Sequence, residues 1–365
     1  MTAGRGRAAA CVLAAFFLGL SLLAWLKEAD RESESERRRL EQFPELSAEA
    51  AVSGEFMEAF ENYALDQFPW RDAFRSLKAF FVFYVYGQKD NHGIYVEDGY
   101  AARMEYPLRE EAVCRAAERF SHVCRTYMED TEVSLYFCVI PDKNCFLAGQ
   151  GGHLSMDYDA FYQLIREKTG YMQFIDITRL LAPEDYYKTD IHWRQERLVG
   201  VAREIAAGMG VRLEAEYEAR TLDRPFYGVY YGQSALPLQA ERLQYLTNRL
   251  LEQCTVYDFQ NGKWMAVYDM EKAYGRDPYE MFLSGPLPLL RIENPAAPAD
   301  KELILFRDSF GSSLAPLLAE GYASVTLVDI RYIHPDLLGR YLQFHDQDVL
   351  FLYSVPVLNQ GEAMK

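Results

Sequence analysis

Apolar residues form one long uncharged run near the start of the chain, and later short runs that alternate with amphipathic segments. The first run, residues 8–26, would be about 28 Å long as a helix, which is enough to cross the hydrocarbon core of a bilayer. Arginines precede this run, and Trp25 and Lys27 mark its far end, as at a membrane interface. We therefore predict an N-terminal transmembrane helix, with residues 1–27 as a membrane anchor.

A cleaved signal peptide is the alternative interpretation of this run. The run is long for a signal-peptide core and no clean A-x-A cleavage site follows it, so an uncleaved anchor is favoured. Basic residues are more frequent in residues 27–39 than before the run, which argues against a cytoplasmic N-terminus. The charge pattern by itself leaves the orientation open.

Residues 28–90 are interpreted as a charged stalk and a helical lead-in. The stretch 27–42 mixes acidic and basic residues without an apolar face, which is typical of a solvated helical stalk or linker. Two helical patterns follow, and in the first of them Phe56, Phe60 and Tyr63 share one face.

From residue 91 to residue 365, short apolar strands alternate with helical patterns. This alternation predicts an α/β domain with a mainly parallel, doubly wound sheet, in which functional sites lie beyond the carboxyl ends of the strands. Hairpins are predicted at Asp98-Gly99 and at Asn261-Gly262, the latter within a less regular insertion at 211–300. The predicted strands are 133–140, 172–177, 303–306, 325–330 and 349–353. The predicted helices are 108–128, 158–168, 194–208, 312–320 and 335–344.

Composition narrows the class of function. Half of the 365 residues are apolar or aromatic, which is ample for a large core and excludes a disordered chain. The net charge of −16 is unsuited to binding a nucleic-acid backbone. The six cysteines show neither CxxC pairs nor Cys/His ligand spacing, so we interpret them as mostly buried thiols and predict no metal site and no cofactor.

Two segments follow predicted strands and carry candidate chemistry. Residues 305–314 read LFRDSFGSSL, so a strand delivers Ser309 to a turn before a helix, where backbone N–H groups can stabilise an oxyanion. Residues 186–193 read YYKTDIHW, in which one loop can aim both a carboxylate, Asp190, and an imidazole, His192. Each segment alone is equally explained by helix capping, because Ser, Thr and Asp are common N-cap residues.

These two segments, in this order, resemble the DHHW protein family and its relatives, the alginate O-acetyltransferase-type SGNH hydrolase-like proteins. Other segments match in the same order, from about residue 43 onward. The matching segments are ENYALDQFPWRDAF (61–74), VIPDKNCFL (139–147), TDIHW (189–193), FRDSFGSSLAPLLAE (306–320) and VTLVDIRYI (325–333). Ordered segments of this kind are far more specific than any one short motif.

The resemblance implies a catalytic triad and an SGNH-like fold. In the catalytic relatives the matching residues act as nucleophile, general base and orienting carboxylate, which are Ser309, His192 and Asp190 here. The Asp-His pair precedes the serine, so the order looks permuted relative to ordinary SGNH enzymes. Four further positions are candidate substrate contacts on the family match: Lys143, Arg307, Arg331 and Tyr332. Lys143 is equally interpreted as a solvated loop residue, and Arg331 as the ion-pair partner of Asp329 or another carboxylate.

The chain departs from the family pattern near the serine. Ile191 stands where the family name implies a second histidine, and Arg307 stands where the serine block has glycine. Arg307 would either crowd the oxyanion site or place a cation beside it. No Gly-x-Asn-Asp block supplies an oxyanion asparagine, so Ser354 and Asn359 are the nearest candidates.

The resemblance implies an extracytoplasmic O-acetyltransferase that modifies a cell-surface or extracellular polysaccharide through an acyl-enzyme. It also implies a multipass membrane acyltransferase as partner, which exports the acetyl group. Two alternatives stay open: a carbohydrate acetylesterase with the same triad, and a catalytically inactive glycan-binding or scaffold protein. Catalysis requires the Ser309 hydroxyl within reach of His192, so a separation beyond about 8 Å would exclude it.

Overall fold

The computed structural model describes residues 2–33 and 35–360, with side chains from residue 6 onward. The α-helices are α1 Thr2–Leu26, α2 Ala48–Ser53, α3 Glu55–Asp66, α4 Arg71–Phe80, α5 Glu110–Tyr127, α6 Lys143–Gly151, α7 Tyr158–Lys168, α8 Val199–Gly208, α9 Val229–Ser234, α10 Arg249–Gln253, α11 Met270–Ala273, α12 Gly311–Leu318 and α13 Val355–Gln360. A π-helical turn, Phe81–Val85, continues α4. The 3₁₀ turns are Thr178–Leu180, Pro183–Asp185, Gln195–Arg197, Pro278–Met281, Ala319–Gly321 and Pro335–Arg340.

The strands run in the order β1 Glu32–Ser33, β2 Arg38–Arg39, β3 Ile94–Glu97, β4 Tyr100–Arg103, β5 Ser134–Ile140, β6 Gln173–Ile175, β7 Glu218–Thr221, β8 Gln244–Thr247, β9 Thr255–Asp258, β10 Lys263–Met265, β11 Leu289–Glu293, β12 Glu302–Arg307, β13 Ser324–Val328 and β14 Asp348–Ser354. The chain divides into two compact units, Met1–Asn91 with Tyr231–Pro237, and His92–Tyr230 with Leu238–Lys365. The short stretch 231–237 therefore groups with the N-terminal unit and not with the insertion in which the sequence placed it.

The N-terminal unit begins with a helix that is long and apolar enough to cross a membrane. The candidate span is Gly6–Leu26, with a mean hydropathy of 2.3 and little of its surface buried. A signal sequence near an N-terminus has the same properties. The structure is thus consistent with the predicted single-pass segment, while its orientation and the identity of the membrane remain predictions.

Of the two interpretations of residues 27–42, a solvated helical stalk or a linker, the helix is wrong. Among the described residues of this stretch the chain forms the short antiparallel pair β1–β2 in place of a helix. Its charges are paired with the helices that follow: Glu36 lies 2.5 Å from Arg71, and both carboxylate oxygens of Asp66 accept from Arg38, at 2.5 and 2.7 Å. Because the charges have partners on α3 and α4, the segment packs on the unit and does not stand as a solvated helix.

The second unit is built on a mixed eight-stranded sheet in the order β10-β9-β11-β13-β12-β14-β5-β6. The strands from β13 to β6 are parallel neighbours, which confirms the mainly parallel α/β sheet. Strands β11, β9 and β10 extend it in antiparallel fashion. The predicted hairpin around Asn261-Gly262 is therefore present, and it forms the edge of the central sheet.

Both faces of the sheet are covered by helices. Along β12, Leu303 and Leu305 join one apolar cluster with side chains of α8 and α12, while Ile304 and Phe306 join another with α5, α7 and α13. Strands buried on both faces are expected to be apolar, as β12 is between its first residue, Glu302, and its last, Arg307. The carboxyl end of β12 therefore leads directly to Asp308 and Ser309, at the edge where sites of such sheets lie.

Candidate active site

Ser309 lies in the turn between β12 and α12. The Asp308 carboxylate fixes this turn: one oxygen accepts from the Phe310 N–H at 3.0 Å, and the other accepts from the N–H and hydroxyl of Ser354 at 2.8 and 2.6 Å. Helix α12 has no side-chain cap at its N-cap residue, Phe310. The Ser309 hydroxyl is thus not used as a helix cap.

The hydroxyl instead meets the imidazole predicted from the TDIHW segment. Ser309 Oγ lies 2.8 Å from His192 Nε2, and His192 Nδ1 lies 2.6 Å from Asp190 Oδ1. Asp190 is completely buried, and its Oδ2 accepts from the Val229 N–H at 2.8 Å. A carboxylate beside Nδ1 favours the proton there, which leaves Nε2 free to accept the serine proton. The structure thus brings the three residues predicted as a triad into one hydrogen-bonded chain.

Two aromatic rings pack against the imidazole. Tyr279 stacks on His192 with ring centroids 3.9 Å apart and planes 10° from parallel, and Phe310 lies at 5.0 Å in a tilted arrangement. The Tyr279 hydroxyl is 2.8 Å from that of Ser313. The indole N–H of the buried Trp193 also bonds to Ser313, at 3.0 Å. The helix after the serine turn and the histidine loop are therefore joined by hydrogen bonds at the Ser313 hydroxyl.

The loop that carries Asp190 is held by segments distant in sequence. Both the N–H and the hydroxyl of Thr189 donate to Glu241, at 2.9 and 3.1 Å, and the Gly228 N–H donates to the Thr189 hydroxyl at 2.9 Å. A Cβ at Gly228 would lie only 2.3 Å from Asp190 Cα and from the Thr189 carbonyl carbon. Only a residue without a side chain lets these two segments approach so closely.

Lys143 occupies a different setting from either one expected for it. Its side chain is buried, and Nζ donates to the carbonyls of Tyr187 and Lys188 at 2.8 and 3.3 Å. Burial lowers the pKa of this ammonium to about 7, although the nearby Asp190 carboxylate acts in the opposite direction. Lys143 therefore supports the loop before Asp190 from the inside, where it presents no charge to solvent.

Arg307 is buried as well, whereas the Arg331 side chain is partly accessible. Arg307 lies 3.6 Å from Asp329, its contacts to the carbonyls of Asp308 and Leu287 are long at 3.4 Å, and its Nε has no hydrogen-bond partner among the described residues. Burial lowers the pKa of Arg307, with Asp329 opposing the shift.

Arg331 makes the stronger pair with Asp329, through bonds of 2.8 and 2.7 Å. Its guanidinium carbon lies 5.5 Å from the ring of Tyr332, which is exposed. Of the four candidate substrate contacts, Tyr332 and Arg331 are therefore the two with accessible side chains.

The two side chains considered for the oxyanion site have other partners. The Ser354 hydroxyl donates to Asp308, while Asn359 accepts from the Arg109 N–H at 2.8 Å and donates to the Pro107 carbonyl at 3.2 Å. Within the described part of the chain, the Ser309 N–H makes no hydrogen bond. The backbone of the serine itself is thus the available oxyanion donor at this turn.

The sequence missed every contribution of the 211–300 segment to this site. Gly228, Val229, Glu241 and Tyr279 carry no recognisable motif, and the segment was interpreted as an irregular insertion. The only local signal is Gly228 itself, and one glycine is too common to indicate a close approach. Among the described residues, no group of three or more His, Cys, Asp or Glu side chains is arranged to hold a metal ion.

Solved structures of two proteins share this fold at TM-scores above 0.5. The chain is similar to a DHHW family protein from Eubacterium siraeum, with a TM-score of 0.58 and 18% identity over 74% of this chain and 92% of that one. It is similar to Bacillus cereus PatB1, in a structure with a sulfonyl adduct, with a TM-score of 0.57 and 17% identity over 74% and 96% of the two chains. The O-acetyltransferase domain of Pseudomonas putida AlgJ matches at a TM-score of 0.44, with 12% identity over 73% and 92%.

No family model and no curated protein matches the chain. The TM-scores of 0.58 and 0.57 show a common fold, and at identities of 18% and 17% the likeness is one of fold alone. They confirm at the level of fold the resemblance to DHHW family proteins that the ordered sequence segments indicated.

Proposed function

We propose that the protein is an extracytoplasmic O-acetyltransferase that acetylates hydroxyl groups of a cell-surface or extracellular polysaccharide through Ser309. One observation carries this proposal: the continuous hydrogen-bonded chain from Asp190 through His192 to Ser309, with separations of 2.6 and 2.8 Å. These separations are those required of a nucleophile, its base and the group that orients the base. The resemblance of the ordered motifs to O-acetyltransferase-type proteins supports the choice of acyl group and acceptor.

The proposed reaction has two half-reactions. Ser309 Oγ attacks the carbonyl carbon of an acetyl donor while His192 Nε2 takes the hydroxyl proton, and the same proton then passes to the leaving group as acetyl-Ser309 forms. A sugar hydroxyl next attacks the acetyl carbonyl and gives its proton to His192, which returns it to Ser309 Oγ. The buried Asp190 stabilises the imidazolium in both steps, and the Ser309 N–H donates to the oxyanion.

The donor is proposed to come from a multipass membrane acyltransferase that delivers the acetyl group across the membrane. The helix Gly6–Leu26, as an uncleaved anchor with the second unit outside, would keep the protein at that membrane. This arrangement follows from the family resemblance and from the apolar character of α1.

Acyl-enzyme trapping tests the nucleophile. Incubation with an activated acetyl ester, followed by mass spectrometry of the digested protein, should place one acetyl group on the peptide with Ser309. Ser309→Ala should abolish the adduct, whereas Ser312→Ala should keep it, because within the described part of the chain the imidazole of His192 bonds to Ser309 and not to the neighbouring buried Ser312. An adduct on both wild type and Ser309→Ala, or on neither, contradicts the proposal.

The acceptor requires a second experiment. If the protein is a transferase, the yield of acetylated oligosaccharide should rise with the concentration of added sugar, and the release of free acetate should fall. Free acetate at an undiminished rate, with no acetylated sugar from any glycan class supplied, would make the protein an acetylesterase with the same triad.

A further inference from the structure

Helix α4 and the π-helical turn after it expose their apolar face, whereas a surface helix of a soluble domain normally buries it. Their apolar side chains point to solvent: Trp70 is 63% exposed, Leu77 51% and Tyr84 65%. The exposed set is Trp70, Phe74, Leu77, Phe80, Phe81, Tyr84, Val85 and Tyr86. Phe74, Leu77 and Phe81 are spaced i, i+3 and i+7, so they form one stripe, and Trp70 precedes it as the N-cap residue.

The charged face of the same helix points into its own unit. Arg71 pairs with Glu36 at 2.5 Å, and Arg75 lies 3.2 Å from Glu36 and donates to the Gly232 carbonyl at 2.7 Å. Ala79, one turn after Arg75 on the same side of the helix, is fully buried. The outward aromatic stripe is therefore fixed by ion pairs on the opposite face, so the helix cannot turn it inward without breaking them.

The anchor helix α1, in the same unit, also exposes apolar side chains. A groove of about 420 Å³ is lined on one side by α1 and on the other by α3 and the segment before it. The residues that define it are Phe17, Leu20, Trp25, Phe43, Phe60 and Tyr63. The unit thus exposes apolar surface both along α1 and along residues 70–86, which is far more than a soluble domain normally shows.

We propose that residues 70–86 lie in the interface of the bilayer that α1 enters, with their apolar stripe at the boundary between headgroups and acyl chains. Trp70 precedes the stripe and the exposed Tyr84 and Tyr86 follow it, and Trp and Tyr are the side chains enriched at that depth. Arg71 and Arg75 are paired with Glu36, whereas Lys78 lies off that face and is exposed, so its ammonium group can reach anionic headgroups. The protein is then held by a transmembrane helix and by a second, in-plane helix.

Lipid photolabelling of the full-length wild-type protein tests this placement. The protein is reconstituted in liposomes of phosphatidylethanolamine and phosphatidylglycerol that contain a diazirine phospholipid, irradiated, digested and mapped by mass spectrometry. Adducts on residues 70–86 should exceed those on the buried helix α12 several-fold. Labelling of residues 6–26 shows that the chain has inserted, so adducts confined to 6–26 would overturn the proposal. Labelling in liposomes that disappears in native membranes would assign the stripe to a protein partner and also overturn it.

Tryptophan fluorescence with brominated lipids gives an independent measurement. The lipid-quenched fraction should fall in Trp70→Phe relative to wild type, because Trp70 would lie within reach of the bromines. Trp264→Phe is the matched control, since Trp264 is 59% exposed but lies on the edge strand β10 of the second unit. An equal quenched fraction in wild type and Trp70→Phe, or an equal fall in both variants, contradicts the in-plane helix.

Discussion

Tyr279 covers one face of the His192 imidazole, with its ring 3.9 Å away and nearly parallel, although 87 positions in sequence separate them and no motif links them. The stack fixes the plane of the imidazole, while Asp190 fixes its rotation through Nδ1. The direction of Nε2 toward Ser309 therefore depends on two contacts, of which the sequence motif supplies one.

Replacement of Tyr279 separates the stack from the hydroxyl. Tyr279→Phe keeps the ring and loses the bond to Ser313, so kcat with an activated acetyl ester should stay near the wild-type value. Tyr279→Leu removes the stack and should lower kcat roughly 3- to 10-fold, as expected for an aromatic contact of about 1 kcal/mol. The same kcat for the Phe and Leu variants, at equal thermal stability, would exclude a role of the ring in aiming His192.

Gly228→Ala should disable the site by a backbone collision. The new Cβ would lie 2.3 Å from Asp190 Cα, so the loop must move, and displacement of a catalytic group by about 1 Å costs about 100-fold in rate. Gly200→Ala is the matched control, because its Cβ would meet nothing within 4 Å inside α8 and should stabilise the helix by about 0.5–1 kcal/mol. Steady-state rates and thermal unfolding of both variants test this. Normal activity of Gly228→Ala would show that the loop accommodates the methyl group.

The buried Lys143 predicts a specific pH dependence of stability. Its pKa is about 7 in the folded protein but about 10.4 in an unfolded chain, so between these values the unfolded chain binds more protons. The contribution of Lys143 to the free energy of unfolding must therefore increase with pH between these two pKa values. Below the lower one Lys143 is charged in both states, and its burial destabilises the folded protein to the full extent.

Lys143→Met removes this titration. The free energy of unfolding in urea, measured for both proteins at several pH values, should rise with pH more steeply in wild type than in the variant. Parallel pH profiles would contradict a lowered pKa. Because other groups titrate in the same range in both proteins, only the difference between the two profiles is diagnostic.

Arg307 and Arg331 share Asp329 but should respond differently to removal. Arg331→Met takes away the bidentate partner of a fully buried carboxylate and should cost about 3–5 kcal/mol of unfolding free energy. Arg307→Met replaces a buried cation with long, incomplete contacts by an apolar chain, while Asp329 keeps Arg331. This change should therefore lower the free energy of unfolding much less than Arg331→Met does.

Chemical unfolding of the two variants tests the contrast, and their acylation rates add a second readout. A strong loss of stability in Arg307→Met would show that its ion pair with Asp329 matters more than the distances indicate. A loss of acylation without a loss of stability would place the Arg307 charge in the reaction.

At residues 27–42 the sequence pattern was compatible with a helix, and the structure has the short β1–β2 pair there. Local pattern alone therefore did not determine the conformation of this stretch. The mixed charges were compatible with a solvated helix, but Glu36 and Arg38 find partners on helices that begin later in the chain. Residues 70–86 show the same limitation. Their helical period was visible, but the outward orientation of the aromatic stripe depends on Arg71 and Arg75, whose partners Glu36 and Gly232 lie elsewhere in the sequence.

The sequence by itself determined what depends on neighbouring residues. Apolar runs of strand length specified β5, β12, β13 and β14, because strands buried on both faces must be apolar throughout. The spacing in TDIHW let one loop aim a carboxylate and an imidazole, and the turn after β12 exposed Ser309. Only the tertiary structure decided the rest: the stack of Tyr279, the space left by Gly228 and the inward position of Lys143. These features arise where distant segments meet, and burial and contact distance exist only once the chain has folded.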